Sequence, residues 1–129
     1  MRKLNLDEYD ETLDFEHPQT LPKEALYTFV VDSFYFSGIN IRSCAHTKYG
    51  SKVSERYCEN TLMKKLYEDK HIEEWCYMSY RSIKNTLNEF KKNRGFEDEE
   101  ELRIKLLAMH DLILEFDDYL KKVAYEIED

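Results

Sequence analysis

The chain has 129 residues, of which 36% are charged and 42% are hydrophobic, and its formal net charge at pH 7 is −8. That length suits one folded domain, and the negative charge disfavours nucleic acid as a partner, because phosphate binding needs a concentrated Lys/Arg surface. With 3 Gly and 2 Pro in the whole chain, the composition favours long helices over a turn-rich β-sandwich.

Residues 1–19 are predicted to form an extended acidic N-terminal arm. Six acidic side chains fall between Asp7 and Glu16, and Pro18 discourages a helix that runs through the segment. We take residues 20–129 as a single helical domain that follows this arm.

The first helix is predicted near residues 21–37, with Thr20 as its N-cap. Because Gly commonly ends a helix, we expect this one to stop at Gly38 and residues 39–51 to form a loop rich in uncompensated basic side chains. The alternative is an α+β fold with a short β-hairpin within 26–41, since that segment is rich in aromatic and β-branched residues.

Three further helices are predicted in the rest of the chain. One lies near 52–68, and Asp69 can cap the next. A marked junction is formed by the run KKNRGFEDEEE, which has lysines at a helix end, then a Gly stop, then acid at the next helix start. It predicts helices near 70–93 and 98–127, folded back as a long C-terminal antiparallel αα-hairpin. The predicted fold is therefore an all-α small helical bundle.

The last predicted helix carries an apolar seam with a period near 3.5 residues, the spacing that keeps side chains facing a partner helix. The seam is either the core of the chain itself or the interface of a homodimer. Further apolar side chains lie beside it at Ile104, Leu107, Leu112 and Leu114, so we expect the first helix or a second copy to cover them. The seam residues are Leu102, Leu106, Met109, Ile113, Phe116, Leu120, Val123 and Ile127.

Arg103 and His110 occupy equivalent positions in successive heptads, so their side chains share a face beside the seam. An Arg-x6-His pair on a late helix of a bundle resembles the signature of HEPN-type ribonucleases. The resemblance implies a dimeric ribonuclease in which His110 is the general acid or base and Arg103 stabilises charge on the phosphate. The structural alternative is that both residues flank an interface and pair with carboxylates.

A second alternative function is that of a DNA-binding regulator acting through helix 78–94. In that hypothesis Tyr80, Arg81 and Lys84 belong to a face that enters a groove. The acidic run that follows this helix opposes the hypothesis, and the structural alternative is the solvated face of a hairpin helix.

The three cysteines, Cys44, Cys58 and Cys76, are predicted to be reduced, because their number is odd and no secretory leader precedes them. Together with His46 and His71 they contain the elements of a zinc site, but paired Cys-x2–4-Cys spacings are missing, so we expect no metal and no cofactor. The other alternative is a nucleophilic Cys44 beside His46, since basic neighbours favour a thiolate.

The function that the sequence favours is binding rather than catalysis. We expect a small acidic protein-interaction or inhibitory module whose partner is a protein with a basic surface, for example a nucleic-acid-handling protein. We also expect it to be cytoplasmic, because neither an apolar leader nor a membrane-spanning segment is evident. The candidate partner-binding residues are Asp7, Glu8, Asp10, Glu11, Asp111, Glu115 and Asp118.

Overall fold

The computed structural model describes residues 15–92 and 99–125. The described chain forms helices and no strand, which confirms the predicted all-α bundle and shows that a β-hairpin within 26–41 was the wrong alternative. The helices are α1 (Lys23–Tyr49), α2 (Ser51–Arg56), α3 (Glu59–Glu68), α4 (Glu74–Lys92) and α5 (Glu99–Tyr125), preceded by a 3-10 turn at Pro18–Thr20. Most of the predicted arm lies outside the described residues.

Helix α1 packs mainly against α5 and also contacts α4 through aromatic side chains, while α4 and α5 contact each other directly. Phe29 lies against His110, with ring centroids 4.9 Å apart, and the Thr47 hydroxyl lies 2.8 Å from a carbonyl near the end of α5, so α1 and α5 run parallel. Helix α4 runs antiparallel to both. Its Tyr80 ring lies 5.2 Å from Phe34 of α1 and 6.4 Å from Phe116 of α5, which agrees with the predicted C-terminal hairpin.

The first helix does not end at Gly38, as the sequence predicted. It continues to Tyr49, and the stop is Gly50, whose φ of 90° suits glycine and whose N–H donates to the His46 carbonyl. Gly38 is buried, and a Cβ atom there would lie 3.2 Å from a side-chain oxygen of Glu59. This glycine therefore leaves room for the side chain of Glu59 beside α1.

The predicted basic loop at 39–51 is wrong for the same reason. Arg42 lies in α1, where its Nε donates to Glu59 over 3.2 Å and its Nη1 donates to the carbonyl of Tyr57 over 3.1 Å. The same Nη1 also contacts the carbonyl of Ser54. The carboxylate that pairs with Arg42 is that of Glu59, which lies 17 residues further along the chain. Together these hydrogen bonds hold the α2–α3 turn against α1.

Other helix boundaries differ from the prediction in smaller ways. The N-cap position of α1 is Pro22, and the Thr20 hydroxyl donates instead to the His17 carbonyl over 2.8 Å. The helix predicted near 52–68 is divided into α2 and α3. The break predicted near Asp69 is confirmed, since α3 ends at Glu68 and α4 begins at Glu74. The predicted cap is wrong, because Asp69 is the C-cap residue of α3 and its carboxylate accepts a hydrogen bond from the Tyr49 hydroxyl.

The seam of α5 forms part of the core of the chain itself. Its described members are buried except Val123, which is partly buried, and Ile127 lies outside the described residues. Of the apolar side chains beside the seam, Leu107 and Leu112 pack partly against the core, whereas Ile104 and Leu114 remain exposed. None of the described helices is long and apolar enough to cross a bilayer.

Candidate functional site

The contact between α1 and α5 contains three polar bonds on successive turns of α1. Asn40 donates to the carboxylate of Asp117 over 2.6 Å, and the Thr47 hydroxyl donates to the carbonyl of Ala124. Between them the Cys44 thiol lies 3.0 Å from the carbonyl of Leu120. Burial raises the pKa of Cys44 to about 12, because its effect outweighs that of the nearby Lys48, which lowers the pKa of this thiol.

Arg103 and His110 lie on the side of α5 that faces α1. Nη1 of Arg103 donates to the carbonyl of Leu21 over 2.6 Å, and therefore anchors the segment that leads into α1. The His110 ring packs on Phe29, and burial there lowers its pKa, while the nearby Asp111 carboxylate acts in the opposite direction. Both residues therefore contact the first helix or the segment before it. Arg103 does so by hydrogen bonding to a backbone carbonyl, and His110 does so by packing on an aromatic ring.

The three described carboxylates of the predicted partner-binding set come together on α5. Asp111, Glu115 and Asp118 are exposed and lie at i, i+4 and i+7, on the side opposite the buried seam. The remaining predicted acids, at positions 7, 8, 10 and 11, lie outside the described residues. Exposed apolar side chains accompany the row. We call this surface the outer face of α5, and it consists of Ile104, Asp111, Leu114, Glu115, Asp118 and Tyr125.

The charge on the outer face of α5 is only partly compensated. Asp118 pairs with Lys122 over 3.5 Å. In the described part of the chain, Asp111 and Glu115 make no ion pair. Because like charges at i, i+4 repel by a few tenths of a kcal/mol, this pair slightly destabilises the isolated helix. Leu114 is 55% exposed between them, and Ile104 is 60% exposed two turns earlier.

The residues of α4 that were predicted to enter a DNA groove do not share one surface. Tyr80 points into the core, against Phe34 and Phe116. Arg81 is exposed, with its guanidinium carbon 5.8 Å from the centroid of the Tyr77 ring. Lys84 is partly buried beside α1 and α3. Because Tyr80 is buried, the three residues predicted to enter a DNA groove do not form one exposed surface.

The cysteines occupy two kinds of environment. Cys44 and Cys76 are buried, and burial raises the pKa of each to about 12. Cys58 is exposed at the N-cap position of α3, where hydrogen bonds from Thr61 lower its pKa. Within residues 15–92 and 99–125, no three His, Cys, Asp or Glu side chains come together in a way that could hold a metal ion.

Sequence reasoning missed a cavity of about 230 Å³ between α1, the first turn of α3 and α4. Its α4 wall was partly visible in the sequence, since Tyr80, Lys84 and Lys91 share one side of that helix. Its α1 wall was not, because the helix was predicted to end at Gly38, which lines the cavity. The lining residues are Tyr27, Val31, Phe34, Tyr35, Gly38, Ile41, Cys58, Glu59, Asn60, Tyr80, Lys84, Leu87, Asn88 and Lys91.

Comparisons with protein-family models, with curated proteins and with solved structures find no match to this chain. Its function is therefore inferred from the geometry of the described residues. Two surfaces offer chemistry: the outer face of α5, and the cavity beside α4.

Proposed function

We propose that this chain is a small acidic protein-interaction module, which binds and inhibits a protein that has a basic surface. The outer face of α5 is the binding surface in this proposal. The observation that supports it is the combination of uncompensated carboxylates at Asp111 and Glu115 with the exposed apolar side chains of Ile104 and Leu114.

The two kinds of side chain contribute in different ways. Burying apolar surface supplies binding free energy of roughly 25 cal/mol per Å² before the costs of association. Carboxylates steer a basic partner toward the surface and select against acidic ones. A lysine or arginine of the partner that lies between Asp111 and Glu115 would also remove their mutual repulsion. Because the row is built on a long helix with a buried seam, little conformational entropy is lost when it binds.

The test compares three forms of the chain in affinity capture from lysate. The outer-face variant carries Asp111→Asn, Leu114→Ser and Glu115→Gln. The matched control carries Glu74→Gln, Met78→Ser and Glu89→Gln, which remove the same charge and one exposed apolar side chain from α4. We expect basic proteins to be retained by the wild type and the control, to be lost by the outer-face variant, and to elute between about 50 and 500 mM salt as the charges are screened.

The captured protein is then purified and titrated with the same three forms by calorimetry, and its own activity is assayed in their presence. Binding to the wild type and the control that is at least tenfold tighter than to the outer-face variant supports the proposal. Equal affinity for all three forms, or a partner that is not basic, contradicts it. Unchanged activity of the bound partner contradicts the inhibitory part alone.

A further inference from the structure

The cavity beside α4 has the size and lining for one aromatic ring. Its floor is apolar, formed by Val31, Phe34, Ile41 and Leu87. Its volume of about 230 Å³ is larger than the roughly 150 Å³ that holds benzene and smaller than the roughly 300 Å³ at which pockets for drug-sized molecules begin. A single ring with one substituent therefore fits it.

Tyr80 lines this cavity, and its hydroxyl has no hydrogen-bond partner among the described residues. The Tyr80 side chain is 4% exposed. In the described chain every fully buried side-chain nitrogen or oxygen has a hydrogen-bond partner, so this hydroxyl reaches solvent, and it does so in the cavity that the residue lines. A tyrosine hydroxyl is protonated at neutral pH and can therefore donate, and burial raises the pKa of Tyr80 further, to about 12.

The rim of the cavity is positive although the protein as a whole is negative. Lys84 and Lys91 lie on one side of α4, two turns apart, and neither pairs with a carboxylate of the described residues. Glu59, which also lines the cavity, is already paired with Arg42 at 3.2 Å. The first turn of α3 borders the cavity at Asn60, and a helix N-terminus favours negative charge. The charge of Glu59 also reaches Tyr80, whose pKa it raises further, so the lining favours an anion only where two lysines outweigh this one carboxylate, on the side of Lys84 and Lys91.

We propose that this cavity binds a single-ring aromatic carboxylate of the benzoate type. The ring lies on the apolar floor between Phe34 and Leu87. The carboxylate accepts the Tyr80 hydroxyl and lies between Lys84 and the first turn of α3. This site is separate from the outer face of α5, so the two proposals stand or fall independently.

The probe is 4-fluorobenzoate, followed by fluorine NMR, with 4-fluorobenzyl alcohol as its uncharged counterpart. We expect the wild-type chain to bind the acid with a dissociation constant on the order of 1 mM or tighter, and the alcohol about tenfold more weakly. Tyr80→Phe keeps the ring and removes the donor, so it should weaken binding of the acid about tenfold. Lys84→Gln should weaken it roughly threefold and Lys84→Glu more, because the lysine is partly screened by solvent.

Lys64→Gln is the matched control, because Lys64 is an exposed lysine of α3 that does not line the cavity. It should bind the acid as the wild type does. The proposal is overturned if 4-fluorobenzoate gives no saturable shift, if the alcohol binds equally well, or if Tyr80→Phe and Lys84→Glu both bind like the wild type. If Tyr80→Phe does not fold, as judged by its thermal transition, the comparison of Lys84→Glu with Lys64→Gln decides.

Discussion

Helix α1 meets both α5 and α4 through aromatic rings, with Phe29 on His110 and Phe34 on Phe116 on the α5 side, but only the α5 side adds direct bonds from short polar side chains among the contacts described above. On the α5 side, Cys44 and Thr47 reach backbone carbonyls of the neighbouring helix directly. On the α4 side, Phe34 meets Tyr80 with the rings tilted by 35°, and space remains beside them. Short side chains let two backbones approach closely. Tilted aromatic rings pack less completely, and they leave the cavity between α1 and α4, which a ligand of matching shape can fill. In this molecule the tightly packed side holds the fold together, and the ring-lined side offers a binding site.

The largest contrast between the α5 side and the α4 side of helix α1 should appear in the reactivity of their cysteine thiols. Cys44 lies within the α1–α5 contact, where burial raises its pKa to about 12. Cys58 is exposed at the rim of the cavity, where hydrogen bonds from Thr61 lower its pKa. Near neutral pH we expect alkylation of Cys58 to be about a thousandfold faster or more, because Cys44 reacts only when the bundle opens.

Mass spectrometry of partly alkylated protein, site by site, measures this ratio. Cys58→Ser should abolish the fast phase and leave the slow one unchanged. Labelling of Cys44 and Cys58 at similar rates would show that the α1–α5 contact opens readily, contrary to the packing described above.

A smaller contrast should appear when a leucine of α5 and a leucine of α4 are each replaced by alanine. Leu106 is completely buried on α5, and Leu106→Ala should lower the free energy of unfolding by about 3–4 kcal/mol, since its cavity is enclosed on all sides. Leu87 already borders an open space, so Leu87→Ala should cost about 2 kcal/mol. Urea unfolding with unchanged m-values measures both losses. Equal losses would mean that the space beside α4 is closed in solution.

The smallest effect concerns pH. Burial against Phe29 lowers the pKa of His110 below the ordinary histidine value of about 6.5, so the folded chain binds this proton less readily than the unfolded chain. The contribution of His110 is therefore complete above the unfolded pKa and is lost as the pH falls below it. Between about pH 8 and pH 5, the melting temperature of His110→Gln should fall less than that of the wild type.

Other groups also titrate in that range, so the comparison needs a second histidine. His46→Gln changes an exposed histidine of α1 and should follow the wild-type curve. Parallel curves for the wild type and His110→Gln would show that the Phe29–His110 contact is not maintained across this pH range.

The sequence predicted α5 well and α1 poorly, and the reason lies in how many neighbours each helix has. Helix α5 buries one seam, around Leu106 and Phe116, and its opposite side is largely charged apart from a few exposed apolar side chains such as Ile104 and Leu114, so its periodicity is visible. Helix α1 is covered on two sides, and its apolar residues therefore surround most of the helix without a clear period. Gly38 then resembled a stop because close approach of another helix is not visible in a local window.

The two candidate sites also differ in how far the sequence predicts them. The spacing of Asp111, Glu115 and Asp118 was enough to place all three on one side of a helix. The cavity could not be predicted, because its walls come from α1, α3 and α4, which meet only in the folded chain. The roles of Arg42 and Arg103 depend on partners 17 and 82 residues away, for which a single sequence holds no signal.

The parallel arrangement of α1 and α5 has a consequence for how the chain folds. Antiparallel helices can meet through a short loop, but the hydrogen bonds between α1 and α5 join residues 76 and 77 positions apart. Contacts of such high sequence separation incur loop-closure entropy before they form, and they slow folding relative to bundles with local contacts. During synthesis, α1 leaves the ribosome long before its main partner exists. Until α5 emerges, Cys44 and Thr47 of α1 lack the backbone carbonyls that they contact in the folded chain, so the packing of α1 is completed only after more than 70 further residues have been synthesised.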